Sequence, residues 1–219
     1  MLEVSGLTKR YGSHVVLDGV KAAFATNAIH FVMGPNGAGK STFLRCLLQL
    51  VPYSGEIHWR GRPIDPSERL VFPVLDAAPF YPRLTGRQNL KVLAPEALGR
   101  SSAYVDDRLL RQRFGRYSRG QAMRLALTAA LQSGTDLVVM DEPANGLDRE
   151  TMLALRTDLL AMRGERTFVL TGHQLEFYED IVDTVTLLRG GTLRRVDDSG
   201  VRRRSLAEIY DADRPTSAS

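Results

Sequence analysis

Ala28-Ile29-His30-Phe31-Val32-Met33-Gly34-Pro35-Asn36-Gly37-Ala38-Gly39-Lys40-Ser41-Thr42-Phe43-Leu44-Arg45-Cys46-Leu47-Leu48 is the stretch from which the rest of the fold follows. Ala28 to Met33 is an apolar run of strand length that stops at a glycine. Phe43, Leu44, Leu47, Leu48 and Val51 recur at spacings of three and four, which predicts a helix from Ser41 until Pro52 ends it. Between strand and helix, Gly34-Pro35-Asn36-Gly37-Ala38-Gly39-Lys40-Ser41-Thr42 satisfies G-x-x-x-x-G-K-[ST] in full. Glycines let successive backbone N–H groups turn inward around phosphate oxygens, and the following helix offers them its positive end. Lys40 is placed to reach the β- and γ-phosphates of a nucleoside triphosphate, and the Ser41 hydroxyl to ligate Mg²⁺.

Outward from this loop, strand and helix signals alternate. Met1 to Val4, Val15 to Leu17, Glu56 to Trp59 (turning at Gly61-Arg62-Pro63) and Leu70 to Leu75 are β-prone, and helices are expected over 87–93 and 105–113. Ser118 is a candidate N-cap for a helix carrying Leu125, Ala126, Ala129, Ala130 and Leu131. Asp136 to Met140 is a buried-strand run, 151–162 is helical in pattern, and Phe168 to Thr171 is a strand that delivers His173. Such alternation predicts an α/β fold with a mostly parallel sheet and helices on both faces. The hairpin-rich first third and the polar stretch 84–115 read as additions to that core.

The strand ending in Asp141-Glu142 supplies carboxylates where phosphoryl transfer needs them, Asp141 beside the Mg²⁺ shell and Glu142 against the attacking water. Taken alone, two acids at a strand end are more often a solvated terminus, so this motif takes its weight from the phosphate loop. A third element lies just upstream: Tyr117-Ser118-Arg119-Gly120-Gln121, followed by Arg124. A serine cap and a glycine at a helix start make a site for an anion.

Here the chain resembles the nucleotide-binding domain of the ATP-binding cassette (ABC) transporter family, whose signature is usually Leu-Ser-Gly-Gly-Gln. Ser118, Gly120 and Gln121 match it, whereas Tyr117 and Arg119 depart. The resemblance implies a P-loop NTPase (RecA-like) core with an N-terminal antiparallel β-subdomain and a small α-helical subdomain, forming one domain over 1–211. The core would occupy about 1–83 and 132–211, the helical subdomain about 84–131, with a flexible tail at 212–219. It implies ATP and Mg²⁺ as ligands, with Gly34 to Thr42 and Lys40 on the phosphates and Ser41 and Asp141 on the metal. Glu142 would be the general base, and His173, in Leu170-Thr171-Gly172-His173, the switch histidine that contacts the γ-phosphate. Tyr11 resembles the aromatic that stacks on adenine, and Asp148, in Ala144-Asn145-Gly146-Leu147-Asp148, the residue that contacts a second protomer across a dimer. Ser118, Gly120 and Gln121 would close on the triphosphate held by that second protomer, which the resemblance allows to be a copy of this chain or a related cassette.

Two features break the pattern. Aligning Phe80-Tyr81-Pro82-Arg83-Leu84-Thr85 with the family's Tyr-Pro-x-Leu-Thr puts Asp76 where a glutamine is usual, and a carboxylate there can bind Mg²⁺ directly. The stretch from Thr85 to Ser118 is also shorter than expected for the helical subdomain, implying either a reduced docking surface centred on Phe80 and Tyr81 or a specialised partner, unless the shortening has no mechanistic meaning.

Composition sets the remaining bounds. The 219 residues suffice for one sizeable core, and 29 basic residues against 25 acidic ones leave a net charge of +4. Only Arg202, Arg203 and Arg204 form a basic run, so no nucleic-acid partner is expected. Four of the basic residues are lysines, an arginine bias that points to a GC-rich bacterial source. Cys46 is the single cysteine and sits on the apolar face of the first helix, where a buried thiol is expected. The N-terminus lacks the pattern of a secretory leader, and no apolar run approaches the roughly 20 residues needed to span a bilayer. A membrane role would therefore be borrowed from a partner; the resemblance implies a separate transmembrane permease, with this chain peripheral on the cytoplasmic face of a bacterial membrane. Tyr117-Ser118-Arg119-Gly120 looks most like the signature of exporter cassettes, which favours export. The alternatives are a soluble cassette acting without a permease, which co-purification would distinguish, and a degenerate ATP-binding partner, which the presence of Lys40, Glu142 and His173 opposes.

Overall fold

The computed structural model describes residues 1–65, 70–75, 80–196 and 204–212. Asp76 and most of the basic run lie outside these described residues. Among the described residues ten strands and seven α-helices follow one another, with short 3₁₀ turns at Pro95–Ala97 and Phe114–Arg116. The strands are β1 (Leu2–Tyr11), β2 (His14–Phe24), β3 (Ile29–Met33), β4 (Ser54–Trp59), β5 (Arg62–Pro63), β6 (Val71–Val74), β7 (Leu137–Met140), β8 (Thr167–Thr171), β9 (Thr184–Arg189) and β10 (Thr192–Arg195). The helices are α1 (Lys40–Leu47), α2 (Gly86–Leu93), α3 (Asp107–Arg111), α4 (Arg119–Gln132), α5 (Arg149–Ala161), α6 (Leu175–Tyr178) and α7 (Leu206–Ala212).

Two sheets form. The order β2-β1-β4-β5 makes a four-stranded antiparallel sheet, and β10-β9-β3-β8-β7-β6 makes a six-stranded one. In the larger sheet β9, β3, β8, β7 and β6 run parallel and only the edge strand β10 is antiparallel. Fold class and sheet type are thus as the alternation of elements predicts. β1 and β2 are longer than the β-prone segments suggest, because register shifts within their pairing interrupt the apolar alternation that marks a strand. α3 is shorter than expected: Asp106 caps it by accepting from the Leu109 N–H at 2.7 Å, and Gln112 is already extended.

The pleat of the parallel strands sorts their side chains into two cores. Ile29, Phe31 and Met33 of β3, Val138 and Met140 of β7, and Phe168 and Leu170 of β8 pack with α4 and α5 on one face. Val32, Leu137, Val139 and Val169 point the other way, onto α1 and the antiparallel sheet, where Leu2, Val4, Leu17, Ile57 and Trp59 close the layer. α1 is therefore held between the two sheets, with Phe43, Leu44 and Cys46 fully buried. Burial pushes the Cys46 thiol up to about 11, which leaves it an inert apolar filler. Buried His30 bridges Ala25 and Thr184 through its two ring nitrogens, at 2.8 and 2.7 Å. Burial lowers its pKa, and the neutral ring serves as a strut between β3 and β9.

Candidate active site

Three parallel neighbours, β3, β8 and β7, end at one edge of the sheet, and each hands the chain directly to a predicted site segment. Gly34 follows β3, Gly172-His173 follows β8, and Asp141-Glu142 follows β7. Ligand sites of open α/β sheets form outside such carboxyl ends, where the adjacent loops face one crevice. Here Asn36, Gly37, Gly39, Lys40, Ser41 and Thr42 line a cleft of about 270 Å³ together with Val16, Glu142 and His173.

The loop is built to receive an anion. No side chain caps α1, so the N–H groups of its first turn are left for a ligand. Gly39 adopts φ 102°, and a Cβ there would lie 2.8 Å from Val16 Cγ1, so the backbone reaches this position only as glycine. Lys40 is buried and its Nζ donates to the carbonyls of Gly34 at 2.8 Å and Pro35 at 3.2 Å. Burial lowers the Lys40 pKa, and Glu142 and Asp141 oppose that shift. A cation held against its own loop by neutral carbonyls, beneath uncapped N–H groups, fits a polyphosphate in charge and in donor supply.

The acidic end of β7 is fixed by β8. Thr171 Oγ1 donates to Asp141 Oδ1 at 2.6 Å and accepts from the Glu142 N–H at 3.1 Å. Glu142 stands at φ 51°, a left-handed conformation that costs a non-glycine residue about 1–2 kcal/mol and persists only where neighbours impose it. Its carboxylate is clasped from two sides: His173 Nε2 lies 2.7 Å from Oε1, and Asn145 Nδ2 donates to Oε2 at 3.1 Å. Among the described residues no three His, Cys, Asp or Glu side chains gather as a metal site. Mg²⁺ bound here would keep phosphate and water among its ligands, its usual mode beside one or two carboxylates.

Thr171, Asn145 and Val16 were not among the expected site residues. Thr171 and Asn145 lie within quoted motifs, but only the pairing of β7 with β8 reveals what the threonine hydroxyl bridges. Gly172 is a further one. A Cβ there would fall 2.2 Å from the Tyr178 ring, which is fully buried, stacks on Phe31 at 4.5 Å and donates its hydroxyl to the Thr171 carbonyl at 3.1 Å. Gly172→Ala should therefore destabilise the fold by about 1–3 kcal/mol through overpacking. A thermal melt should show this as a Tm lowered by roughly 3–10 °C for a chain of this size. An unchanged Tm would mean that the ring yields freely.

The remaining expected residues lie outside this cleft. Ser118 and Gln121 form a reciprocal capping box at the start of α4, each accepting from the other's backbone N–H, at 3.2 and 2.9 Å. Gly120 abuts the turn after β7, where a Cβ would lie 3.2 Å from the Gly146 carbonyl oxygen. Asp148 caps α5 by accepting from the Thr151 N–H at 2.8 Å, and this bond, helped by the Thr151 hydroxyl and Arg124, holds its carboxyl below the usual range. Tyr11 ends β1 at the hairpin tip, 46% exposed, with Lys9 Nζ 4.6 Å from its ring centre.

Fold and cleft define a P-loop NTPase. Residues 17–145 match the ABC transporter family. The chain is 30% identical over 208 residues to the bacitracin transport ATP-binding protein BcrA of Enterococcus faecalis, covering 88% of this chain and 68% of that one. It is 32% identical over 209 residues to the Nod factor export ATP-binding protein I of Rhizobium sp. (strain N33), covering 87% and 68%. A solved ATP-binding subunit of an ABC transporter superposes with a TM-score of 0.82 at 25% identity, covering 97% of this chain and 98% of that one. The chain belongs to the ABC transporter family, as its ATP-binding and ATP-hydrolysing subunit. Among the described residues no helix is long and apolar enough to cross a membrane.

Proposed function

We propose that this chain, one cassette domain over about 1–211, hydrolyses Mg·ATP as a peripheral subunit on the cytoplasmic face of a membrane and drives a separate permease, in the direction of export. The observation that carries the catalytic part is the single cleft into which Lys40, Ser41, Glu142 and His173 converge. The γ-phosphate would meet Lys40 and the uncapped turn of α1, with Ser41 and Asp141 holding Mg²⁺. That ion would offset charge on the phosphate oxygens. Glu142 would take the proton of the attacking water, and His173, already bonded to it, would orient the carboxylate and reach the γ-phosphate. The left-handed backbone of Glu142 makes the carboxylate's direction part of the fold, which lowers the reorganisation needed at the moment of attack. Tyr11 would stack on the adenine.

That Ser118, Gly120, Gln121 and Asp148 lie away from this cleft supports a site completed by a second protomer. In such a sandwich the α4 start of one chain would cover the triphosphate on the other, and Asp148 would lie at the junction. The export direction is supported by the exporter-like signature and by the likeness to the Nod factor export protein. Light scattering tests the sandwich: Glu142→Gln with Mg²⁺ and ATP should double from the 24.3 kDa monomer. Adding Ser41→Ala or chelating Mg²⁺ should return it to monomer. A monomer under all conditions, or a dimer indifferent to Mg²⁺, would refute the proposal.

A further inference from the structure

Tyr117 stands where the family's signature usually opens with leucine, and its hydroxyl is fully employed. The phenol donates to the Leu109 carbonyl at 2.5 Å and covers Gly86 so closely that a Cβ there would lie 2.2 Å from the phenolic oxygen. Burial, and secondarily Asp106, push its pKa up to about 12, so it stays a neutral donor. The ring is tilted against Phe114 with centres 5.2 Å apart, and Phe114 against Phe80 at 5.0 Å.

The backbones beneath these rings are joined. The Gly86 N–H donates to Gln112 at 3.0 Å, that of Phe114 to Leu84 at 2.8 Å, and that of Gly115 to Pro82 at 2.9 Å. Fully buried Asn89 fastens the same segment from within: its Oδ1 accepts from the Tyr81 N–H at 2.7 Å, and its Nδ2 donates to the Tyr81 and Thr85 carbonyls at 3.1 and 3.0 Å. Tyr81, on the outer side of that segment, is 51% exposed.

We infer that Tyr117 is a positioning residue that locks the start of α4, with Ser118, to the segment from Phe80 to Gly86, so that the two move as one body. Leucine would fill the space but would remove the side-chain donor to the Leu109 carbonyl, leaving that carbonyl only the Gln112 N–H at 3.0 Å. The angle at which Ser118 meets the partner protomer's nucleotide is then set by the Phe80 segment through the Phe114 ring, the Gly86 contact and the end of α3 that the phenol grips. This inference rests on the two-protomer sandwich proposed above.

The test is the protein concentration at half-dimerisation of Glu142→Gln with saturating Mg·ATP, measured by sedimentation alongside single-site ATP affinity. Adding Tyr117→Phe should raise that midpoint about three- to tenfold, the scale of one lost hydrogen bond, and leave ATP affinity within about twofold. Gly86→Ala should act likewise by displacing the phenol. Combining it with Tyr117→Phe should cost less than the sum, because both act on one contact. A midpoint unmoved by Tyr117→Phe, with only Tm lowered, would show the hydroxyl to be merely structural and overturn the inference. If Glu142→Gln itself never dimerises, the sandwich reading fails, and the inference with it.

Discussion

Glu142→Gln is expected to lower ATP turnover by about 10²–10⁴-fold, the usual contribution of a positioned general base, while ATP affinity changes by no more than a few-fold. The substitution is isosteric. It leaves the backbone at φ 51° and the Thr171 bond to the residue 142 N–H, neither of which depends on the side-chain charge. What it removes is the capacity to accept a proton from water. It also disturbs the clasp, because the Asn145 amide and His173 Nε2 each approach one carboxylate oxygen and an amide offers only one acceptor. Steady-state turnover beside equilibrium ATP binding separates the two effects. A variant that retains near-normal turnover would take the base role from Glu142 and return its unusual backbone to mere geometry.

Lys40→Ala is expected to weaken ATP binding by about 10–100-fold, in line with the loss of charge-assisted bonds worth roughly 1.5–3 kcal/mol. Two consequences combine. The triphosphate loses the one lysine ammonium of the cleft, and the Gly34 and Pro35 carbonyls lose the donor that holds the loop in shape. Arginine should not rescue it, since a planar guanidinium does not fit a buried site shaped around a compact ammonium. Fluorescent-nucleotide titration reads the effect directly, and an affinity within twofold of wild type would contradict it.

Much of this arrangement is legible in the sequence because its local signals agree with its fold. The apolar run before Gly34 has the length and ending of a buried strand, the Phe43–Leu47 spacing is helical, and nine residues between them leave the phosphate loop little freedom. The apolar strand before Asp141 is equally plain, and Ser118 caps α4 as expected, with Gln121 closing a reciprocal bond that lies beyond that expectation. What escapes a linear reading is what strand pairing creates. Thr171 gains its place only when β8 lies beside β7, and the left-handed Glu142 follows from that junction rather than from any propensity of glutamate. β1 and β2 hide their length for the opposite reason: their pairing slips, and the alternation that would betray a strand is broken at each slip. Tyr117 reads in one dimension as a departure from a motif, and in three as the fastening of that motif to Gly86 and Leu109.

The most direct test of the central claim, that this cleft is a triphosphate cradle closed by an acid pair, is a paired titration of the purified chain with ATP and AMP in Mg²⁺. If binding resides in the loop from Gly34 to Thr42, ATP should bind about 100-fold or more tightly than AMP, because charge-assisted bonds to the outer phosphates carry the affinity. In Lys40→Ala that preference should shrink by most of its margin. Equal affinity for the two nucleotides, or no binding of ATP at all, would contradict the claim.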